Sequence, residues 1–329
     1  MRVLVIRSGA LGDLVYATSV IDALRYEYGE DTIIDFVTTP GSGKLLEKDP
    51  RVHTVFPLKH KKIPLFLSKE KKAIVNTSKQ EPYDILINFE FGKQFKDLVN
   101  GIVAKKKVGA LLETLHFEKS KINRGKQLKK FFKSVVREEN LNAAYPKVFG
   151  DGYTLEENEY IVISPTNSHI KRSGINYRAW EKEKWKELIK KLSEKGKTVV
   201  LIGSPGEEFY FEALKPYPQN VINLVGKLTI PNLVSVVKQA QATICTDSAV
   251  GHISAAVNTP VFVLMGPNDT VVDAPYQTPF NKVIPISVHK ECSPCYKTEV
   301  MKNCKDNICM KEISVEMVLN SLSEHLSLE

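Results

Sequence analysis

Apolar runs of four or five residues alternate along this chain with stretches in which apolar residues recur every three or four positions. The first pattern fits strands buried on both faces of a parallel sheet, and the second fits the crossover helices that pack on it. Val3–Ile6, Ile33–Val37 and Ile85–Phe89 read as strands, and Leu14, Thr18, Ile21 and Leu24 mark a helix between the first two. A polar stretch from Gly150 to Glu159 then interrupts the pattern and reads as a linker. The alternation restarts with Tyr160–Ser164 and continues through Thr198–Ile202, Val221–Val225, Ala242–Thr246 and Val261–Met265. Helical spacing appears at Trp185, Leu188, Ile189 and Leu192, with Gly196 placed to end that helix. It appears again from Pro231, and last at Val315, Val318, Leu319, Leu322 and Leu326. The pattern predicts an α/β chain of two Rossmann-like, doubly wound parallel-sheet domains, residues 1–155 and 156–312, followed by a terminal helix in 313–329. Two such domains facing one another would place a ligand cleft between them, at the carboxyl ends of the strands.

Composition narrows the class. At 329 residues the chain is long enough for two cores, and 43% hydrophobic with 26% charged residues is the balance of a water-soluble globular protein. No apolar run approaches the roughly 20 residues needed to span a bilayer. The start offers only four consecutive apolar residues, Val3 to Ile6, between two arginines, which is no secretory signal, so a cytoplasmic location is expected. The net charge of +8 favours anionic partners. Basic residues gather in Lys59–Lys72 and Lys105–Arg137, and in the second stretch Arg124, Lys126, Lys129, Lys130 and Lys133 interleave with Leu128, Phe131 and Phe132. That pattern suits either a solvated face or a basic amphipathic helix that holds a phosphorylated substrate or rests in peripheral contact with the inner face of the cytoplasmic membrane. With no zinc finger, RNA-binding aromatic signature or basic heptad array, nucleic acid is not an expected partner.

Two strand-to-helix turns carry candidate chemistry. The first is Arg7-Ser-Gly-Ala-Leu-Gly-Asp13, where Ser8, Gly9 and Gly12 would present backbone N–H groups to an anion at a helix start. A dinucleotide fingerprint would need glycine where Arg7 stands, although Asp35 lies about where a ribose-binding acid is expected. A phosphate loop ending at Gly43-Lys44 fails at Thr38 and Leu45. Asp13 is either a first-turn acid favoured by the helix dipole or a general base able to take a proton from an acceptor hydroxyl. The second turn is Thr246-Asp-Ser-Ala-Val-Gly-His252. There Asp247 or Ser248 would cap a helix, the amides of Ser248 and Ala249 would face a diphosphate, and His252 would lie one turn in on the same face. The bland reading is a capped α/β turn with a core histidine.

These motifs together resemble the bacterial heptosyltransferases of glycosyltransferase family 9. Arg7 to Asp13 is similar to their opening turn. Thr246-Asp-Ser-x-x-x-His252 with Thr259-Pro-Val and Gly266-Pro is similar to their donor signature, and Arg178-Ala-Trp-Glu-Lys-Glu-Lys-Trp185 to their basic-x-Trp element. The resemblance implies the GT-B architecture, with the last helix packing back on the first domain, which would bind the acceptor while the second binds the donor. It implies an inverting, metal-independent transfer of a heptose or related sugar from ADP-heptose to a hydroxyl of a lipopolysaccharide core sugar, an anionic glycan acceptor. Carried over by position, it makes Asp13 the base, Arg178 the residue at the diphosphate, and Asp247, Ser248, Ala249 and His252 the donor loop. Ala249 replaces the family's usual glycine and Arg178 its usual lysine. Thr166, Lys171 and Arg172 after the Tyr160 strand are further donor-site candidates, and Glu207 with Glu208 could accept hydrogen bonds from a ribose or base. The other readings are a related transferase acting on a protein or another glycan, a dinucleotide-dependent oxidoreductase, and a nucleotide-sugar-binding protein without catalysis.

Of five cysteines, Cys245 stands alone in an apolar strand, while Cys292, Cys295, Cys304 and Cys309 form a C-x2-C…C-x4-C array. Four thiolates at such spacing are able to hold a structural zinc or iron ion, and free thiols are the alternative. No cofactor is expected to be required.

Overall fold

The computed structural model describes every residue except 116, 118–120, 158, 172–173 and 327–329, so the candidate Arg172 lies outside the described residues. The chain divides into two compact units, Met1–Phe149 and Gly150–Glu329. The division therefore falls ahead of the polar stretch read as a linker, not at residue 155. Asp151 explains why: it accepts hydrogen bonds from Asn232 and Ser235, which ties the stretch to the second unit.

In the first unit, strands β1 (Arg2–Ile6), β2 (Ile33–Thr38), β3 (Thr54–Pro57), β4 (Tyr83–Asn88) and β5 (Ala104–Gly109) form a parallel sheet in the order β3-β2-β1-β4-β5. Helices α1 (Leu11–Ala17), α2 (Ser19–Tyr28) and α3 (Lys69–Gln80) cross over between strands. The predicted first helix is thus two, parted at Thr18, whose hydroxyl bonds back to the Val15 carbonyl. Asp35, the ribose-binding acid of the dinucleotide reading, is fully buried and is engaged by Arg2, His53 and the Tyr83 hydroxyl. It braces strands instead of meeting a ligand.

The second unit holds β6 (Tyr160–Ser164), β7 (Thr198–Leu201), β8 (Val221–Asn223), β9 (Ala242–Thr246), β10 (Val261–Leu264) and β11 (Val283–Ile286), parallel in the order β11-β10-β9-β6-β7-β8. Its principal helices are α4 (Lys182–Glu194), α5 (Ile230–Gln239), α6 (Ala249–Ala256) and α7 (Val315–His325). The Thr229 hydroxyl and Asn232 side chain close a capping box on α5. Trp180 and Trp185 meet edge to face, 4.8 Å apart, inside the core that α4 shares with Val315, Val318 and Leu322 of α7. The Trp180 indole N–H donates to the Ile313 carbonyl at 2.9 Å. The last helix therefore packs within the second unit. The apolar stripe of α7 is used up on α4, β10 and β11. Among the described residues no helix is long and apolar enough to cross a membrane.

The lysine-rich stretch also departs from expectation. Arg124–Leu128 is a short α-helix followed by a 3-10 turn at Lys129–Phe132, and Leu128, Phe131 and Phe132 are buried. Phe131 and Phe132 pack on Phe89 at the end of β4 with ring centroids 6.1 and 5.9 Å away. Its apolar side serves the core, so no amphipathic face is left for a membrane. Lys129 is buried too, its ammonium donating to the carbonyls of Leu141 and Ala144. Burial, with the charge of Lys126 second, pushes its pKa down to about 8. A lysine whose folded pKa lies below its ordinary value binds fewer protons folded than unfolded, so stability rises with pH across that interval. Urea unfolding of the wild type should therefore show stability increasing between pH 8 and 10.5, by up to about 1.4 kcal/mol per pH unit, relative to Lys129→Met. Parallel profiles for the two proteins would exclude a buried, titrating Lys129.

Candidate active site

In a doubly wound sheet the crevice opens where neighbouring strands send the chain to opposite sides. In the first unit that point lies between β1 and β4, since β2 and β3 extend the sheet on one side and β5 on the other. Arg7 and Ser8 leave β1 there, and Glu90 leaves β4. The Arg7 guanidinium reaches Asp13 Oδ1 at 3.0 Å, Glu90 Oε1 at 3.5 Å and the Phe89 carbonyl at 3.3 Å. The Ser8 amide donates to Glu90 Oε1 at 2.7 Å, and Lys61 donates to the Ser8 carbonyl. Asp13 is the third residue of α1, where a negative charge is favoured, and its side chain is half-exposed. A Cβ on Gly9 would stand 3.1 Å from Asp13 Oδ2, so the bare backbone there lets the carboxylate lie close over the turn. Gly12 is buried within α1. One carboxylate oxygen is thus held by Arg7 while the side chain stays accessible, the arrangement an oriented proton acceptor needs. Glu90 was missed in the sequence. Its only signal is the polar pair Asn88 and Glu90 closing an apolar run, and Asn88 fixes Glu90 through both its backbone N–H and carbonyl.

In the second unit the switch point lies between β6 and β9. Thr166, Asn167 and Ser168 follow β6, and Asp247 and Ser248 follow β9. Arg178 joins these two loops. One nitrogen donates to the Asp247 carbonyl and carboxylate, each at 3.1 Å, and the other to the Ser168 hydroxyl at 2.9 Å. Its guanidinium carbon lies 5.4 Å from the centre of the Tyr296 ring. Asn268, after β10, donates to the same Asp247 oxygen at 2.8 Å. The cation is therefore fixed before any ligand arrives, in the geometry a planar fork favours and a lysine could not reproduce.

The remaining donor-site candidates have mixed fates. Glu207 is buried, accepting from the Thr166 hydroxyl at 2.6 Å and the Ser204 amide at 2.9 Å, so it braces Thr166 with both contacts inside the protein. Lys171 is exposed and donates to the Pro205 carbonyl at 2.8 Å, beside Gly206. Ser248 is the N-cap of α6, Ala249 its first residue, and His252 is half-buried four positions after Ser248, on the same side of the helix. Arg7 Nε, the Ser8 hydroxyl, the Asn167 and Asn176 amide nitrogens, Arg178 Nε and Asn268 Oδ1 are buried without a hydrogen-bond partner in the protein. Such groups are uncommon in folded proteins; these lie on the loops around the two switch points, while Thr38, Trp185 and Tyr210 carry others elsewhere. Asn167, Ser168, Asn268 and Tyr296 were not among the expected site residues. Tyr296 in particular has no local signal, because only the tertiary fold brings it to Arg178.

All four clustered cysteines carry free thiols, with Cys292 exposed and Cys295 and Cys309 buried. Among the described residues no three His, Cys, Asp or Glu side chains are arranged to hold a metal ion. Burial first, then the neighbouring Cys295, Cys292 and Cys304, pushes the Cys309 thiol up to about 11, and Cys295 is raised by burial with Cys292 and Cys304. Because the thiolate is the reactive form, alkylation of Cys309 followed by peptide mass spectrometry should accelerate about tenfold per pH unit from pH 8 towards 11. Cys292 should be modified first at pH 8; equal rates at Cys292 and Cys309 would contradict the burial seen here.

The chain matches the family model of glycosyltransferase family 9 (heptosyltransferase) over residues 106–305. It is 26% identical to lipopolysaccharide heptosyltransferase 3 of Escherichia coli K12, over 80% of this chain and 82% of that protein. Among solved structures it shares its fold with a family 9 glycosyltransferase from Veillonella parvula, at a TM-score of 0.81, 16% identity and coverage of 98% and 96% of the two chains. It also shares the fold of an E. coli heptosyltransferase solved with ADP, at a TM-score of 0.74, 18% identity and coverage of 99% and 100%. With two Rossmann-like parallel-sheet domains of the GT-B type and a family match over most of its length, this chain is a glycosyltransferase and belongs to glycosyltransferase family 9, the heptosyltransferases.

Proposed function

We propose that this enzyme transfers a heptose, with inversion, from ADP-heptose to a hydroxyl of a lipopolysaccharide core sugar. The observation that carries the reading is the Arg178 clamp, a cation held by Asp247 and Ser168 at the switch point of the second unit. A nucleotide diphosphate is the ligand such a fork suits. The choice of ADP and of a lipopolysaccharide acceptor comes from the relatives named above, one solved with ADP and one named for lipopolysaccharide.

In this reading the acceptor hydroxyl gives its proton to Asp13 as its oxygen bonds to the anomeric carbon. The bond from that carbon to the β-phosphate oxygen breaks, and ADP leaves with the electron pair. Arg7 orients Asp13. Arg178 and the amides of Ser248 and Ala249 take up the charge that grows on the leaving diphosphate, with Thr166, Lys171 and His252 along the donor. Glu207 acts one step back, by holding Thr166. Cationic side chains and a helix start carry the electrostatic work, so the mechanism asks for no metal. A cytoplasmic enzyme follows from the donor, which is a soluble nucleotide sugar.

Mass spectrometry and NMR of products from ADP-heptose and a core-sugar acceptor test the reading, and the new linkage should have the anomeric configuration opposite to the donor's. Thermal-shift screening should rank ADP-sugars above UDP- and GDP-sugars; a preference for UDP- or GDP-sugars would move the reading to another transferase. Arg178→Ala should lower kcat by about 10²–10³, the loss of roughly 2.7–4 kcal/mol expected for one preorganised donor in a dry site. A kcat unchanged in that variant would remove Arg178 from the charge-stabilising role.

A further inference from the structure

The loop that leaves β10, Gly266-Pro267-Asn268, is gripped by the segment that carries the four clustered cysteines. The Ser293 hydroxyl donates to the Gly266 carbonyl, and the amides of Cys295 and Tyr296 both donate to the Pro267 carbonyl, at 2.8 and 2.9 Å. Gly266 is bare where the two segments meet: a Cβ there would stand 2.7 Å from the Met310 side chain and 2.9 Å from Cys309 Sγ. Two successive carbonyls are thus held from outside the loop, and the backbone that carries Asn268 is fixed.

The Asn268 side chain is fixed as well. It is only 7% exposed, and its Nδ2 donates at 2.8 Å to Asp247 Oδ2, the oxygen that also receives Arg178 at 3.1 Å. Flipped, the amide would set its own oxygen against that carboxylate, so its orientation follows from charge. Oδ1 is then left buried with no partner in the protein. A diphosphate presents acceptor oxygens. It suits the open donors on the loops that meet at Arg178, namely Asn167 Nδ2, Asn176 Nδ2 and Arg178 Nε, and it repels Asn268 Oδ1. That oxygen needs an O–H or N–H from another part of the ligand. A ligand laid along the strand ends, with its diphosphate between β6 and β9, reaches β7 with one end and β10 with the other. After β7 the exposed Glu208 offers a carboxylate to a ribose, which leaves the sugar end, rich in hydroxyls, for the β10 loop.

We propose that Asn268 is a specificity-determining residue, whose side-chain oxygen accepts a hydrogen bond from one hydroxyl of the sugar being transferred. The inference rests on the reading of the ligand as a nucleotide-diphospho-sugar, and it names the side chain that reads the sugar. Asp247 serves both ends of that ligand, holding Arg178 for the diphosphate and turning Asn268 for the sugar. A buried acceptor set for one hydroxyl discriminates against a sugar that lacks it, because the acceptor is then stranded away from water.

Calorimetric Kd values for ADP and ADP-heptose, measured on the full chain without acceptor, test it. Asn268→Ala should weaken ADP-heptose about tenfold while ADP stays within about twofold of wild type. On the wild type, one of the mono-deoxy ADP-heptoses should bind about tenfold more weakly than the parent, and that same donor should lose nothing further in Asn268→Ala. The wild-type series needs no substitution, so it decides the matter even if the variant folds poorly. Equal weakening of ADP and ADP-heptose would overturn the proposal, since Asn268 would then only brace Asp247 or meet the ribose. Unchanged ADP-heptose binding in Asn268→Ala, or parent-like affinity of the wild type for every deoxy donor, would overturn it too. If another nucleotide sugar is preferred, the same comparison is made with that sugar and its nucleoside diphosphate. The ADP-heptose reading would then fall while this one is still decided.

Discussion

A parallel sheet wound in both directions brings the carboxyl ends of all its strands to one edge, and at a single point along that edge the covering loops diverge. Everything chemical in this enzyme is arranged around that constraint, met twice. In the first unit the divergence lies between β1 and β4, and it collects Arg7, Ser8, Asp13 and Glu90. In the second it lies between β6 and β9, and it collects Thr166, Ser168, Arg178 and Asp247. Part of each cluster comes directly after a buried strand, Arg7, Ser8 and Glu90 in the first and Thr166 and Asp247 in the second, while Asp13, Ser168 and Arg178 are brought in from further along the chain.

The two clusters differ in what they hold ready. Around Arg178 the protein fixes a cation from several sides, through Asp247, Ser168 and the Tyr296 ring, which suits a ligand whose charge grows as it leaves. Around Asp13 it fixes an anion from one side only, through Arg7, and leaves the carboxylate half-exposed, which suits a group that must accept a proton and release it. Gly9 matters for the same reason, since a side chain there would crowd the carboxylate.

Legibility in the sequence followed burial. The strands read from apolar runs, β1, β2, β4, β6, β7, β8, β9 and β10, include every strand at the centre of its sheet. The three that escaped, β3, β5 and β11, are all edge strands. β5 reads Ala-Lys-Lys-Lys-Val-Gly and β11 contains Pro285, so neither presents an apolar run, and both features are tolerated only at an edge. The basic stretch at 124–133 misled in the opposite sense: Phe131 and Phe132 look like a surface stripe in sequence, yet Phe89 claims them for the core. Site residues within the two turns could be read from local pattern and from the resemblance. Glu90 and Asn268 showed only as polar residues in loops just after a strand, and Tyr296 had no such signal, because it joins its site only through the fold.

The central claim is a division of labour, with proton acceptance in the first unit's turn and donor binding in the second's. Rapid-quench single-turnover rates and ADP-sugar Kd values for Asp13→Asn and Arg178→Ala test it together. The account predicts that Asp13→Asn slows transfer by about 10²–10⁴ while binding donor within a few-fold of wild type, whereas Arg178→Ala weakens both. Near-normal transfer by Asp13→Asn, or a donor Kd raised in it as much as in Arg178→Ala, would contradict the account.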